Sequence, residues 1–268
     1  MKITIGQYYP ADSVIHKMDA RIKLLCIFVF ITSLFFVSNF VGYGFAVLFL
    51  GFSIRTSKVP FRMMLRGLRA LLFILIFTTV LNTFFSPGEI VLFEWGVFRM
   101  TQEGLIRAGQ MSLRLAMLVM GSQILTLTTT PMQLTDAIEY ILRPFRKIGV
   151  PYQEIAMMMT IALRFIPTLI EELDKIMKAQ KARGASFDTG GLIKKAKAMV
   201  PLLVPLFISA FRRADDLALA MESRCYRVGM ERTKMRKMKT TRVDYVAMSL
   251  MVLFVAGIVG IEVFVAII

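Results

Sequence analysis

Apolar residues in this chain come in blocks that are too long, and too often repeated, for the core of a soluble domain. Residues 22–37 are almost unbroken apolar sequence, Ser38-Asn39 interrupts, and residues 40–54 are apolar again. Residues 70–85, 110–127 and 243–268 repeat the pattern. Hydrophobic residues fill 56% of 268 positions, above the roughly 45–50% of soluble domains. A bilayer core about 30 Å thick takes about 20 helical residues. The first two blocks reach only about 24 Å, so they are expected to span as a tight pair with flanking Arg and Lys snorkelling to the interface. A re-entrant hairpin is the alternative. Met1 to Lys23 shows no small-residue cleavage site after a short apolar run, so no removable signal peptide is expected.

Charge sets the expected orientation. The net charge is +15, and residues 175–242 alone hold 17 Lys/Arg against 5 Asp/Glu. In a membrane chain this excess marks the cytoplasmic side, and no nucleic-acid partner is inferred from it. Arg55, Lys58, Arg62, Arg66 and Arg69 follow the second block at spacings of three and four, as on one cytoplasmic helix surface. Residues 86–107 are slightly acidic and hold the only tryptophan, Trp95, so they are expected outside. Five spans then run from a cytoplasmic N-terminus to an outside C-terminus.

The stretch between the fourth and fifth spans differs in kind. Thr130 as N-cap with Pro131 at the first helical position starts a helix, which Arg143-Pro144 stops. After Gly149-Val150-Pro151 a second helix is expected from Tyr152 to about Arg183. The turn Asp188-Thr189-Gly190-Gly191 follows, and then a third helix from Leu192 to about Arg227. Its apolar centre, residues 198–211, is short and holds Pro201 and Pro205. It is read as packing on other protein at the membrane surface, with a kinked span as the alternative. The expected fold is an all-α membrane protein with about five transmembrane helices plus a cytoplasmic-side module of long amphipathic helices. Its parts are a four-span domain at 1–130, the module at 131–242 and a last span at 243–268.

The chemistry of catalysis is missing from the sequence. No G-x-x-x-x-G-K-[S/T] loop is present to cradle a triphosphate, and the single histidine, His16, excludes two-histidine metal motifs. Cys26 and Cys225 form neither a disulfide framework nor a metal spacing. Asp215-Asp216 could suggest an aspartate-rich Mg²⁺ site, but without a second acidic cluster the pair is assigned to Arg212 and Arg213 on a solvated face. The expected spans carry almost no ionisable residue apart from Arg114, read as lying near an end; Asn82 and Gln123 are the other polar candidates. A transporter holding its own polar substrate needs such groups at mid-membrane, so the substrate site is expected elsewhere.

Two basic signatures remain. Lys181-Ala182-Arg183-Gly184-Ala185-Ser186 and Glu222-Ser223-Arg224-Cys225-Tyr226-Arg227 stand 41 residues apart, from 183 to 224, each at a helix end. Small neighbours let such an end enter a groove, where a guanidinium can bond a carboxylate in two-pronged fashion. Contact with lipid phosphate is the plainer reading.

Several of these segments resemble the transmembrane T component of the energy-coupling factor (ECF) vitamin and metal-ion importers. They are Gly6-Gln7-Tyr8, Asp12-Ser13-Val14-Ile15-His16, Asp19-Ala20-Arg21-Ile22-Lys23-Leu24-Leu25, Leu142-Arg143-Pro144, Gly149-Val150-Pro151, Ala162-Leu163-Arg164-Phe165-Ile166-Pro167 and Ala179-Gln180-Lys181-Ala182-Arg183-Gly184. The resemblance covers nearly the whole chain. It implies a non-catalytic scaffold in a prokaryotic cell membrane, holding no cofactor or metal, since its partners bind the ATP. The implied partners are two ABC-type ATPases, identical or different, and a separate membrane S component that captures substrate. The two arginine signatures would dock the ATPases at the ends of coupling helices. Ser223-Arg224-Cys225 departs from the family's Ala-Arg-Gly pattern. The apolar coupling-helix surface, with Met199, Pro201, Leu202, Pro205 and Leu206, would receive the S component. Two rivals are a permease or channel lining its own path and a lipid-modifying transferase at Asp215-Asp216.

Overall fold

A computed structural model of the chain describes residues 8–86, 88, 90–95, 98–185, 187, 191–230 and 240–267. Apart from one hairpin of two strands, these residues form helices and their connections. The chain divides into two compact units, Met1–Ala137 with Lys237–Ile268, and Ile138–Arg236.

Unit 1 begins with a short helix α1 (Val14–Lys17), then α2 (Ala20–Phe35) capped by Asp19, whose side chain accepts from Arg21 N. Burial pushes the Asp19 carboxyl up, but the bonds and charge of Arg21 and the charge of Lys23 bring it below the usual carboxylate range. Helix α3 (Phe40–Ser57) ends on Lys58, which takes the left-handed conformation at φ 54°. The five expected cations therefore do not share one helix, because chain direction changes at Lys58. Helices α4 (Phe61–Ala70) and α5 (Leu72–Phe85) meet at a 62° bend. Strands β1 (Val91–Trp95) and β2 (Phe98–Thr101) then pair antiparallel, an element that the sequence does not announce.

Helix α6 runs from Gln102 to Thr128, eight residues earlier than expected, because Thr101 caps it by accepting from Gly104 N. The consequence is that Arg114 lies near the middle of a 27-residue helix and not at its end. Its Nη2 donates to Val37 O at 2.7 Å, and its guanidinium sits 5.8 Å from the ring centres of both Phe35 and Tyr43. The core joins α2, α3, α6 and the last helix, here α10 (Arg242–Ile267). Phe49 stacks on Phe254 at 4.2 Å between ring centres, and Phe30, Leu34, Met117 and Ile258 are buried around them. At Gly121 an added Cβ would fall 2.8 Å from Phe30, so glycine permits α2 and α6 to approach.

Three charged side chains with no counterpart among the sequence expectations bind unit 1 together. Glu262 of α10 accepts from Ser38 N, Asn39 N and Asn39 Nδ2, pinning the turn between α2 and α3. Asp244, at the other end of α10, accepts from Asp19 N at 2.8 Å and from the Thr241 backbone and hydroxyl. Lys23 is 3% exposed and donates to Thr128 O.

Unit 2 holds the end of α7 (Pro131–Leu142), a 3₁₀ turn at Arg143–Ile148, and the long helices α8 (Tyr152–Ala182) and α9 (Leu192–Ser223). Thr130 and Gln133 cap α7 reciprocally, the capping-box arrangement. Arg143-Pro144 ends α7 as expected, and Pro144 sits in the first turn of the 3₁₀ segment that follows, where its missing N–H costs nothing. Gly149 then breaks the direction at φ 86°.

By length and hydropathy, α3, α6, α8 and residues 242–265 of α10 can each cross a membrane among the described residues, with the bent α4–α5 pair as a fifth candidate. This agrees with about five spans, but the membership differs. Helix α2, with 16 residues, is shorter than these, whereas α8, expected in the module, is long and apolar enough, and only 6% of its most apolar window is buried.

Candidate functional site

The two signatures end helices, and they end them in the same way. Arg183 is the C-cap of α8 and Arg224 the C-cap of α9. After Arg183, Gly184 N bonds Lys181 O and Ala185 N bonds Gln180 O. After Arg224, Cys225 N bonds Glu222 O and Tyr226 N bonds Met221 O. Both are Schellman motifs, in which the two residues beyond the cap turn back onto the last carbonyls. The caps have nearly equal backbone angles, φ −85° and ψ 8° at Arg183 and φ −90° and ψ 16° at Arg224. Each guanidinium therefore leaves its helix from the same local frame. Both arginines are exposed, and neither has an ion pair among the described residues.

The residue after each arginine carries the left-handed turn, with φ 87° at Gly184 and 58° at Cys225. A Cβ at Gly184 would meet nothing within 4 Å. Conformation, and not crowding inside this chain, is what favours glycine there. At Cys225 the same turn is made by a residue with a side chain, at a cost of roughly 1–2 kcal/mol. The expected departure at Ser223 and Cys225 thus changes the energy of the cap but not its shape.

Between these ends, α8 and α9 are tied by Glu172. Its carboxylate accepts from the Ser209 hydroxyl and, at 3.0 Å, from Arg213 Nη2. A second link joins Gly229 N to Glu154 Oε1 at 3.1 Å. From Glu172 to Arg183, and from Arg213 to Arg224, the count is 11 residues, about 17 Å of helix on each arm. The expected partners of Arg213 were the adjacent aspartates. Its actual partner is Glu172 on the other helix, and among the described residues Asp215 and Asp216 are exposed with no ion pair. No sequence signal short of the equal 11-residue offsets points to Glu172.

The apolar centre of α9 continues through Pro201 and Pro205 within one helix of 32 residues. Of the residues expected on its contact surface, Met199, Pro201 and Pro205 are exposed, Leu206 is half-buried and Leu202 is buried at 4% exposure. Leu202 therefore faces inward and does not belong to the free surface. Val200, Val204, Phe207 and Phe211 complete the exposed stripe at spacings of three and four, the period of one helix face. The turn at residues 188–190 lies outside the described residues.

Several helices, α8 among them, are long and apolar enough to cross a membrane, and α8 and α9 are linked at Glu172 and end in exposed arginines, so the chain is a multi-pass membrane protein. A family model described as "Cobalt transport protein" matches residues 11–235. Among the relatives, the energy-coupling factor transporter transmembrane protein EcfT of Clostridium kluyveri is 55% identical over 246 residues, 91% of either chain. The protein of the same name from Thermosediminibacter oceani is 54% identical over 92% of either chain, and that of Ruminiclostridium cellulolyticum 47% identical over 97%. The chain belongs to the family of energy-coupling factor transporter transmembrane proteins.

Proposed function

We propose that this chain is the coupling scaffold of an ATP-driven importer for a vitamin or metal ion. Two ABC-type ATPases bind the nucleotide and dock on Arg183 and Arg224, while a separate S component holds the cargo against the exposed stripe of α9. The observation that carries the reading is the pair of equivalent arginine caps, set at equal distances from the Glu172–Arg213 link. A cation at a helix C-terminus is favoured by the helix dipole, and guanidinium suits a carboxylate on a partner. Closure of the ATPases would move both caps, and the link at Glu172 would pass that motion along α8 and α9 to the stripe. The chain itself does no catalysis in this scheme. The N-terminus lies in the cytoplasm and the C-terminus outside.

The test is the double variant Arg183→Glu, Arg224→Glu in the whole transporter. ATPase co-purification and uptake are expected to be lost while membrane insertion is retained. Unchanged uptake would overturn the reading, as would solute movement by the purified chain alone in liposomes, which the permease rival requires.

A further inference from the structure

Unit 1 forms a half-open cavity of about 490 Å³ among α1, α2, α3, α6 and α10, within the roughly 300–1,000 Å³ of ligand pockets. Its walls are apolar, with Met18, Phe30, Phe52 and Leu250 among them, and its cations are Lys23 and Arg242. The lining follows α10 from Arg242 to Met251, about 14 Å of helix. It is therefore a slot with an arginine at one end and aromatic rings toward the other.

Two observations specify the occupant. Lys23 is buried, yet among the described residues its ammonium donates only to Thr128 O at 2.9 Å and Thr129 Oγ1 at 3.4 Å. An ammonium has three N–H donors, so these two bonds leave one over, on a residue that lines the cavity. Arg242 is exposed, has no ion pair among the described residues, and closes a sequence run with Arg232, Lys234, Arg236, Lys237 and Lys239. Basic clusters immediately beside a spanning helix attract anionic lipid, and a chain buried here gains about 0.8 kcal/mol per CH₂.

We propose that this cavity binds one acyl chain of an anionic phospholipid, with the phosphate paired to Arg242 and an ester or phosphate oxygen accepting from Lys23. The bound lipid fills the space between the short α1–α2 segment and α10, and so ties the beginning of the chain to its last helix. This site is independent of the ATPase reading, since every residue that lines it belongs to unit 1.

Native mass spectrometry of the purified full chain, titrated with dioleoyl phosphatidylglycerol or dioleoyl phosphatidylcholine, tests it. Wild type is expected to retain phosphatidylglycerol about fivefold better, the contribution of one interfacial cation. Arg242→Glu should erase that preference and Arg242→Lys should keep it. Ala247→Phe, which puts a ring into the slot, should release both lipids with helix content unchanged by circular dichroism. Equal retention of the two lipids by wild type, or an intact preference in Arg242→Glu, would overturn the proposal.

Discussion

In unit 1 the carboxylate of Asp244 is 1% exposed and accepts three hydrogen bonds, from Asp19 N, Thr241 N and the Thr241 hydroxyl. In unit 2 Arg183, Arg224, Asp215 and Asp216 are exposed and, among the described residues, have no ion pair. The same residue types thus serve opposite ends. A buried carboxylate is tolerable only when its lone pairs are filled, so Asp244, like Glu262 and Lys23, acts as an internal fastener. An exposed charge gains little from its own chain and stays available to something else. Glu172 breaks this division by joining α8 to α9, and so does Glu154, which accepts from Gly229 N.

The largest expected effect on stability falls in unit 1. Asp244→Ala leaves the Asp19 N–H without its acceptor, worth about 1–3 kcal/mol when buried and unpaired, and removes the bonds that hold the exposed Thr241 at the start of α10. Denaturation of the purified chain in detergent should show a loss of roughly 2–5 kcal/mol. The double arginine variant of unit 2 should stay within about 0.5 kcal/mol of wild type. If the two variants were equally stable, the contrast between the units would fail.

What the sequence reveals follows the same division. Helix ends are local chemistry, so the Thr130-Pro131 start, the break at Gly149 and the ends of α8 and α9 can be read directly, with α9 stopping at Ser223 and not near Arg227. The fasteners are invisible because their partners are far away in the chain: Asp244 meets Asp19, Glu262 meets Asn39 and Lys23 meets Thr128. The depth of Arg114 escapes for a related reason. It depends on where Thr101 starts α6, and residues 102–109 are polar enough to read as loop. The extent of α8 is read correctly as one helix, but its placement in the module overlooks an apolar half long enough, by hydropathy, to cross a membrane.

Within unit 2 the two caps allow a finer comparison. Gly184→Ala forces a Cβ into the left-handed turn and should cost about 1–2 kcal/mol. Cys225→Gly removes that cost from the other cap and should gain up to about 1 kcal/mol, reduced by the added freedom of the unfolded chain. Opposite signs in thermal unfolding would show that the caps share one backbone geometry under different side chains. Shifts of the same sign would mean that the cysteine side chain supports its own cap through contacts that glycine cannot replace.

The smallest effect belongs to the exposed acids. Asp215→Asn with Asp216→Asn removes two charges that meet no cation among the described residues. Such surface changes usually stay within about 0.5 kcal/mol, so stability, ATPase co-purification and uptake should match wild type. The neighbouring Arg213 keeps its bond to Glu172 in this variant, which separates the role of the interhelical link from that of local charge. A fall in uptake with no change in stability would show that these acids meet a cationic partner, and unit 2 would then present charge of both signs to its surroundings.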